Sequence, residues 1–189
     1  CFQIRVALRL LTFAGILVPV VSTSGNGIPL EAEANDKLMT LLFLDTGLLL
    51  AVLQLESGLS PQLVQFIMTG NAQELVNKGG VIEMVVGLEI LRNKPAIQRQ
   101  KMYYWEKSGK SIAEIDYLDI RNLKIMPIEV KSGTKGGMKS LWTFMREKHL
   151  TEAIRCSLEN VGEFTYVDME EGEAQRHVTI VPVYALSQF

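Results

Sequence analysis

Residues 114–133 constrain the fold most, because they have the pattern of two strands joined by a tight turn. The segment is EIDYLDIRNLKIMPIEVKSG. If the turn is centred on Arg121-Asn122, residue 114 lies opposite 129 and residue 116 opposite 127. One face of the hairpin then carries the charged side chains Glu114, Asp116, Glu129 and Lys131. The other face carries the apolar side chains Ile115, Tyr117, Ile128 and Val130. An ordinary solvated hairpin seldom needs three carboxylates and an ammonium group on one face.

The composition indicates a folded domain with a sizeable core. The chain has 189 residues, of which 48% are hydrophobic, enough for one domain or one domain with a small appendage. Two cysteines, Cys1 and Cys156, form neither a disulfide framework nor a metal-ligand spacing, which favours a cytoplasmic protein. Residues 38–55 are apolar, but Asp45 and Gly47 interrupt them, so we predict a buried strand followed by a buried helix and no membrane span.

Positive charge is concentrated in the middle of the chain. Residues 92–148 contain 13 Lys or Arg and 6 Asp or Glu, whereas the net charge of the whole chain is −2. This basic region contains the hairpin, and a positive surround for a carboxylate cluster suits a polyanionic substrate such as nucleic acid. Lysines that solvate an exposed sheet edge explain the same excess equally well.

Periodicity and turn signals predict an α/β (α+β) protein with a mixed sheet flanked by helices. We expect helices over 4–14, 46–55, 81–92 and 138–150, with Gly15 ending the first and Asp45 capping the second. Further helices are expected to start at Pro61 and Asn71. Strands are expected over 16–21, 28–32, 38–44, 102–107, 164–168 and 178–186, in addition to the hairpin. The first helix and the strand pair around residues 24–27 match the tail end of a winged helix.

The spacing of Asp116, Glu129 and Lys131 indicates metal-dependent chemistry. Hydrolysis of a phosphodiester needs a divalent cation, and Mg²⁺ prefers oxygen ligands, usually one or two carboxylates. Asp116, Glu129 and the backbone carbonyl of Val130 can supply such ligands for Mg²⁺ or Mn²⁺. Lys131 can orient the attacking water or offset charge on the phosphate. A Glu-x-Lys pair alone is also common on exposed strands.

An Asp followed by Glu-x-Lys across a hairpin, preceded by a glutamate on a helix, resembles the PD-(D/E)XK nuclease-like superfamily. The sequence more closely resembles a prokaryotic domain of unknown function found C-terminal to AAA-type P-loop ATPases. The similar segments are 43–49 (FLDTGLL), 103–105 (YYW), 113–118 (AEIDYL), 127–133 (PIEVKSG), 139–141 (KSL) and 182–186 (PVYAL).

This resemblance implies a restriction-endonuclease-like core over residues 38–189, preceded by the winged-helix-like segment 1–37. It implies that Glu83, Asp116, Glu129 and Lys131 are the catalytic residues, Glu83 taking the place of the helical glutamate. The activity implied is DNA cleavage by a nuclease domain, linked to an ATPase domain upstream of Cys1. Residues 1–189 contain no phosphate-binding loop of their own.

Several alternatives stay open on the sequence alone. The domain could instead be a catalytically inactive module that binds nucleic acid or protein and regulates the ATPase. The aromatic side chains Tyr103, Tyr104 and Trp105 could stack on bases, although core packing is the better prediction. His149 and His177 lack partners at ligand spacing and are expected to be structural or on the surface. A homo-oligomer is compatible with the sequence.

Overall fold

The structure, a computed structural model, describes residues 2–52, 78–95, 101–107, 112–133 and 137–189. The α-helices are α1 (Phe2–Phe13), α2 (Thr46–Val52), α3 (Lys78–Arg92) and α4 (Lys139–Glu147). The strands are β1 (Leu17–Thr23), β2 (Ala34–Phe43), β3 (Met102–Lys107), β4 (Ala113–Arg121), β5 (Lys124–Val130), β6 (Glu152–Ser157), β7 (Gly162–Asp168) and β8 (Ala174–Pro182). Short 3-10 helices span Leu30–Glu33, Met169–Glu171 and Leu186–Gln188.

These strands form one mixed sheet in the order β2-β1-β3-β4-β5-β6-β8-β7. The pairs β1–β3, β5–β6 and β6–β8 are parallel, and the remaining pairs are antiparallel. The predicted α/β class with a mixed sheet flanked by helices is confirmed. The hairpin β4–β5 occupies the middle of the sheet, and β2 and β7 are its edges.

Two apolar cores cover the two faces of the sheet. The α3-side core joins helix residues such as Ile82, Val86 and Ile90 to strand residues such as Val20, Tyr117 and Ile128. The α4-side core joins Leu141, Phe144 and Met145 to Trp105, Ile115 and Leu118. Because successive strand residues point to opposite faces, the inner strands β3, β4, β5, β6 and β8 supply both cores. Both faces of the central strands are therefore covered, which explains why β5 is buried along most of its length.

The predicted register of the central hairpin is wrong by two residues. Tyr117 pairs with Ile128 and Arg121 with Lys124, so the turn consists of Asn122 and Leu123. Both turn residues have positive φ, 50° and 60°, as a type I′ hairpin turn requires. Asn tolerates this conformation, but Leu does so rarely, so position 123 carries no turn signal.

The predicted apolar face of the hairpin is also wrong in one place. Ile115 packs in the α4-side core, whereas Tyr117, Ile128 and Val130 pack in the α3-side core. The cause is a register shift between β3 and β4: Tyr103 pairs with Leu118, but Trp105 pairs with Ile115. Two residues of β4 therefore stand opposite one residue of β3, which turns the rest of β4 over.

The N-terminal prediction is partly corrected. The first helix is confirmed, and Gly15, with φ of 71°, follows its end. No strand covers residues 28–32. They run into the 3-10 helix instead, and β1 pairs with the long strand β2.

Asp45 caps α2 as predicted, because its Oδ1 accepts from the backbone N–H of Leu48 at 2.8 Å. The predicted strand before Asp45 exists but is largely exposed rather than buried.

Elsewhere the predicted elements are confirmed with small differences in their ends, and one strand was missed. Strand β6 was not predicted, because its six residues include the charged Glu152 and Arg155. The helices predicted to start at Pro61 and Asn71 lie outside the described residues. No helix in the described ranges is long and apolar enough to cross a membrane.

Candidate functional site

The backbone ladder of the hairpin β4–β5 has a gap at the end of β5, because its pairing stops at Tyr117 and Ile128. Beyond that point Oδ2 of Asp116 accepts from the backbone N–H of Val130 at 2.6 Å. A side chain thus replaces a backbone partner of β5, and this places Asp116 at the mouth of the gap.

Glu129 and Lys131 lie on the other side of the same gap. Lys131 Nζ donates to Glu129 Oε1, and Glu129 is only 3% exposed. The second oxygen of this carboxylate, Oε2, is buried and has no hydrogen-bond partner among the described residues. A buried carboxylate oxygen without a partner is costly, because it has lost its water and gained nothing in exchange.

Burial and charge together perturb the acidity of this pair. Burial, and then the neighbouring Glu129 carboxylate, raise the pKa of Asp116 to about 7, even though the Val130 N–H opposes the shift. Burial also raises the pKa of Glu129, against the effect of the Lys131 hydrogen bond. Two carboxylates this close repel each other when both are ionised, and a bound cation relieves that repulsion.

Helix α3 brings the predicted fourth residue to the same place. Glu83 lies close enough to raise the pKa of Asp116, after the effects of burial and Glu129. The backbone carbonyl of Glu83 accepts a hydrogen bond of 2.8 Å from the hydroxyl of Tyr117, the residue after Asp116. This bond fixes the helix over the hairpin. The structure therefore brings together Glu83, Asp116, Glu129 and Lys131, although 48 residues separate the first and last in sequence.

The acidic cluster extends beyond these four residues. Glu114 acts on the pKa of Glu83 and of Glu129, raising both. Glu114 is itself paired across the strands with Glu106 of β3, and its pKa is raised by burial and by Glu106. Glu114 was predicted on the charged face of the hairpin but outside the four catalytic residues, and Glu106 was not predicted to take part. The sequence signal for Glu106 was its position directly after two buried aromatic residues, Tyr104 and Trp105.

Sequence analysis also missed Arg155 on β6. It stands beside Glu129 in the parallel pair β5–β6, is buried, and its charge lowers the pKa of Glu129. Its guanidinium also lies 3.5 Å from the carboxylate of Glu159. The strand that carries Arg155 was not predicted, so this neighbour of Glu129 could not be placed.

The donor set fits a hard cation held by few protein ligands. Within the described residues, no group of three or more His, Cys, Asp or Glu side chains is arranged to hold a metal ion. Mg²⁺ is usually bound by one or two carboxylates together with water and substrate phosphate. Asp116 and the unpartnered oxygen of Glu129 would be the two carboxylate donors of such a site, and the Val130 carbonyl stays a predicted third ligand.

The remaining candidates from the sequence lie outside this site. Trp105 and Tyr104 are buried in the two cores, which confirms the prediction that they pack rather than stack on bases. His149 is exposed and contacts Glu171 at 2.5 Å. His177 lies 3.3 Å from Glu163 on the last strands. Both histidines are surface residues, as predicted.

Comparison with known proteins gives a family without an assigned activity. The model of the family described as "Domain of unknown function (DUF4143)" matches residues 78–186, more than half of the chain. The chain belongs to this family. The matched residues run from α3 to the last 3-10 helix and include all of Glu83, Asp116, Glu129 and Lys131. No curated protein and no solved structure matches the chain.

Proposed function

We propose that this DUF4143 domain is a divalent-cation-dependent nuclease with a PD-(D/E)XK-type site. The observation that carries the proposal is the buried, unpartnered Oε2 of Glu129 beside a second, half-buried carboxylate, Asp116. Burial of this pair is costly unless a cation, a proton or a substrate group completes it. The resemblance of the hairpin to that superfamily points to a cation such as Mg²⁺ or Mn²⁺.

The side chains of the site have distinct roles in this proposal. Asp116 and Glu129 hold the cation. Lys131, kept in place by its ion pair with Glu129, presents its ammonium group to the scissile phosphate or to the attacking water. Glu83 adds a further carboxylate on the helix side. When bound, the cation polarises the phosphate and lowers the pKa of a bound water.

The substrate proposed is DNA. The positive charge of residues 92–148 supplies the long-range attraction that a polyanion needs, because the site itself is acidic and repels phosphate until a cation binds. By the same resemblance, we propose that the domain works as part of an ATPase-linked protein that brings the substrate to the site.

A second candidate is a non-catalytic module that binds DNA or protein. The pairing of Lys131 with Glu129, and of Asp116 with the Val130 N–H, favours it, because these contacts already satisfy part of the cluster. Cation binding separates the two candidates, since only the nuclease needs a cation at Asp116 and Glu129.

The first experiment is a calorimetric titration of Mn²⁺ into the wild-type domain and into Asp116→Asn. The nuclease proposal expects saturable binding to the wild type and its loss in the variant. Equal, negligible heats for both proteins would exclude the proposed site.

The second experiment measures Mn²⁺-dependent cleavage of linear, nicked and single-stranded DNA. Lys131→Ala is expected to abolish cleavage by removing the ammonium group next to Glu129. Lys124→Ala is the matched control, because Lys124 begins the strand that Lys131 follows but pairs with the exposed Glu152. Cleavage that persists in Lys131→Ala would assign the activity to a contaminant or to another site.

A further inference from the structure

A cleft lined mostly by polar residues lies at the same end of the sheet as the carboxylate cluster, where β1, β3 and β5 end and β4 begins. Its volume is about 370 Å³, and its walls come from the end of β1, the start of β2 and the end of β3. Small-molecule sites in proteins usually fall in the range of about 300–1,000 Å³. The cleft is therefore large enough for one planar heterocycle of a bound substrate.

Glu106 connects this cleft to the candidate site. It lines the cleft and is the cross-strand partner of Glu114. Directly opposite residues of an antiparallel pair share a face, and Glu114 in turn acts on Glu83 and Glu129. The Glu106 side of the cleft, on β3, is thus one strand from Asp116 on β4 and two strands from Glu129 on β5.

The lining selects for a ligand that donates hydrogen bonds. It contains the carboxylates of Glu33 and Glu106, the amide of Asn35, the side chain of Leu38 and the hydroxyls of Ser22, Thr23 and Ser24, and among the described residues no Lys or Arg lines it. Two carboxylates disfavour a phosphate group in the cleft. They favour a neutral group with N–H donors.

Part of this lining is already positioned by the fold. Glu106 Oε1 accepts a hydrogen bond of 2.9 Å from the buried Tyr104 hydroxyl. Glu33 accepts from the backbone N–H and side-chain amide of Asn26, at 3.1 and 3.0 Å. Both side chains are exposed, so their remaining lone pairs can accept from a ligand, and a carboxylate can accept more than one hydrogen bond at each oxygen.

We infer that the cleft binds one nucleobase with an exocyclic amino group, from the strand held at the cation site. This inference rests on the proposed nuclease function. In a nucleic acid, the neutral groups that donate to carboxylates are the amino groups of the bases, and glutamate typically accepts from the N4 amino group of cytosine. Thymine has no exocyclic amino group, so the cleft is expected to bind it more weakly. Glu106 is the residue that specifies the base.

The test measures binding of labelled oligo-dC, oligo-dA and oligo-dT by fluorescence anisotropy. All proteins carry Lys131→Ala, so that the strand stays intact. We expect oligo-dC to bind about tenfold more tightly than oligo-dT, the discrimination of one good carboxylate–base contact. Adding Glu106→Gln reduces this ratio to about twofold or less, while the Tyr104 hydroxyl keeps an acceptor. Thermal melting checks that this variant folds.

Removing any negative charge strengthens binding of all polyanions, so the ratio and not the affinity is the readout. Glu163→Gln, an exposed glutamate on the edge strand β7, is the matched control and leaves the ratio unchanged. Equal binding of the oligonucleotides, or a preference that survives Glu106→Gln, overturns the inference while cleavage by the wild type still supports the nuclease. If no oligonucleotide binds and none is cleaved, both the inference and the proposed function fail.

Discussion

The carboxylate of Asp116 makes the cation-free protein less stable as the pH rises. Its pKa is raised from 3.8 to about 7 in the folded protein, by burial first and then by Glu129. Because the folded state holds the proton more tightly than the unfolded chain, the full stability is present below about pH 4 and is lost as the pH rises through 7. Asp116→Asn removes this ionisation, and its side-chain oxygen can still accept from the Val130 N–H.

The size of the effect follows from the two pKa values. One pKa unit corresponds to about 1.4 kcal/mol, so a shift of about three units gives a penalty on the order of 4 kcal/mol at pH 8 and about 2 kcal/mol at pH 5. Asp116→Asn should therefore stabilise the cation-free domain more at pH 8 than at pH 5. For a chain of this length, the extra gain at pH 8 corresponds to a Tm difference on the order of 5 °C.

Urea unfolding at several pH values, in the presence of a chelator, measures this difference. Asp119→Asn is the control, because Asp119 lies on the same strand but pairs with Arg121, outside the cluster. Asp119→Asn is measured at the same pH values, so that the effect at Asp116 can be compared with the loss of a charge elsewhere on β4. Adding Mn²⁺ should stabilise the wild type and leave Asp116→Asn unchanged, because a ligand stabilises only the state that binds it. An equal gain for Asp116→Asn at both pH values, or a loss at pH 8, would refute the reasoning.

Three further predictions concern the frame that holds the site. Leu123→Gly should raise the free energy of unfolding by about 0.5–1 kcal/mol, because Leu123 is 81% exposed and has positive φ. Gly87→Ala should lower it by about 1–3 kcal/mol, because the new Cβ lies 2.6 Å from the Tyr117 hydroxyl. Asp168→Asn should lower the Tm, because this buried carboxylate binds two arginine side chains, and the hydrogen bond from one of them lowers its pKa.

Each of these has a control or a contrary outcome. Gly80 lies in the same helix, and a Cβ added there meets no atom within 4 Å. Gly80→Ala should therefore be neutral or stabilising. If Gly80→Ala and Gly87→Ala lose the same stability, the steric account is wrong. A lower urea midpoint for Leu123→Gly would mean that the leucine packs against something. For Asp168, the stabilisation is present above the ordinary pKa of Asp and lost as the pH falls, so an unchanged acid transition in Asp168→Asn would contradict its role.

Three of the four candidate residues could be predicted together because they are close in sequence. Asp116, Glu129 and Lys131 lie within one hairpin, and their faces depend on the strand period of two. The register error was two residues, and a slip of two keeps each side chain on its face, whereas a slip of one reverses it. Ile115 could not be placed, because the extra residue in β4 is set by its pairing with β3, which is not visible in the hairpin sequence.

The residues that were missed depend on long-range pairing. Arg155 reaches Glu129 only because β6 joins the sheet parallel to β5, and the charges in that short strand conceal its pattern. The cleft beside Glu106 needs β1 and β3 to pair in parallel, which joins Val20 to Met102. Sequence periodicity gives the type of an element but not its neighbour, so the strand order had to come from the structure.

The central position of the hairpin has a consequence for how this domain can diversify. Three strands lie on each side of β4–β5, and the outermost ones, β2 and β7, contact neither Asp116 nor Glu129 through the backbone ladder. Insertions, extra strands or altered loops at either edge can therefore reshape the outer surface while the carboxylates stay in the middle. A family built on this plan can keep the central hairpin and differ in its outer strands.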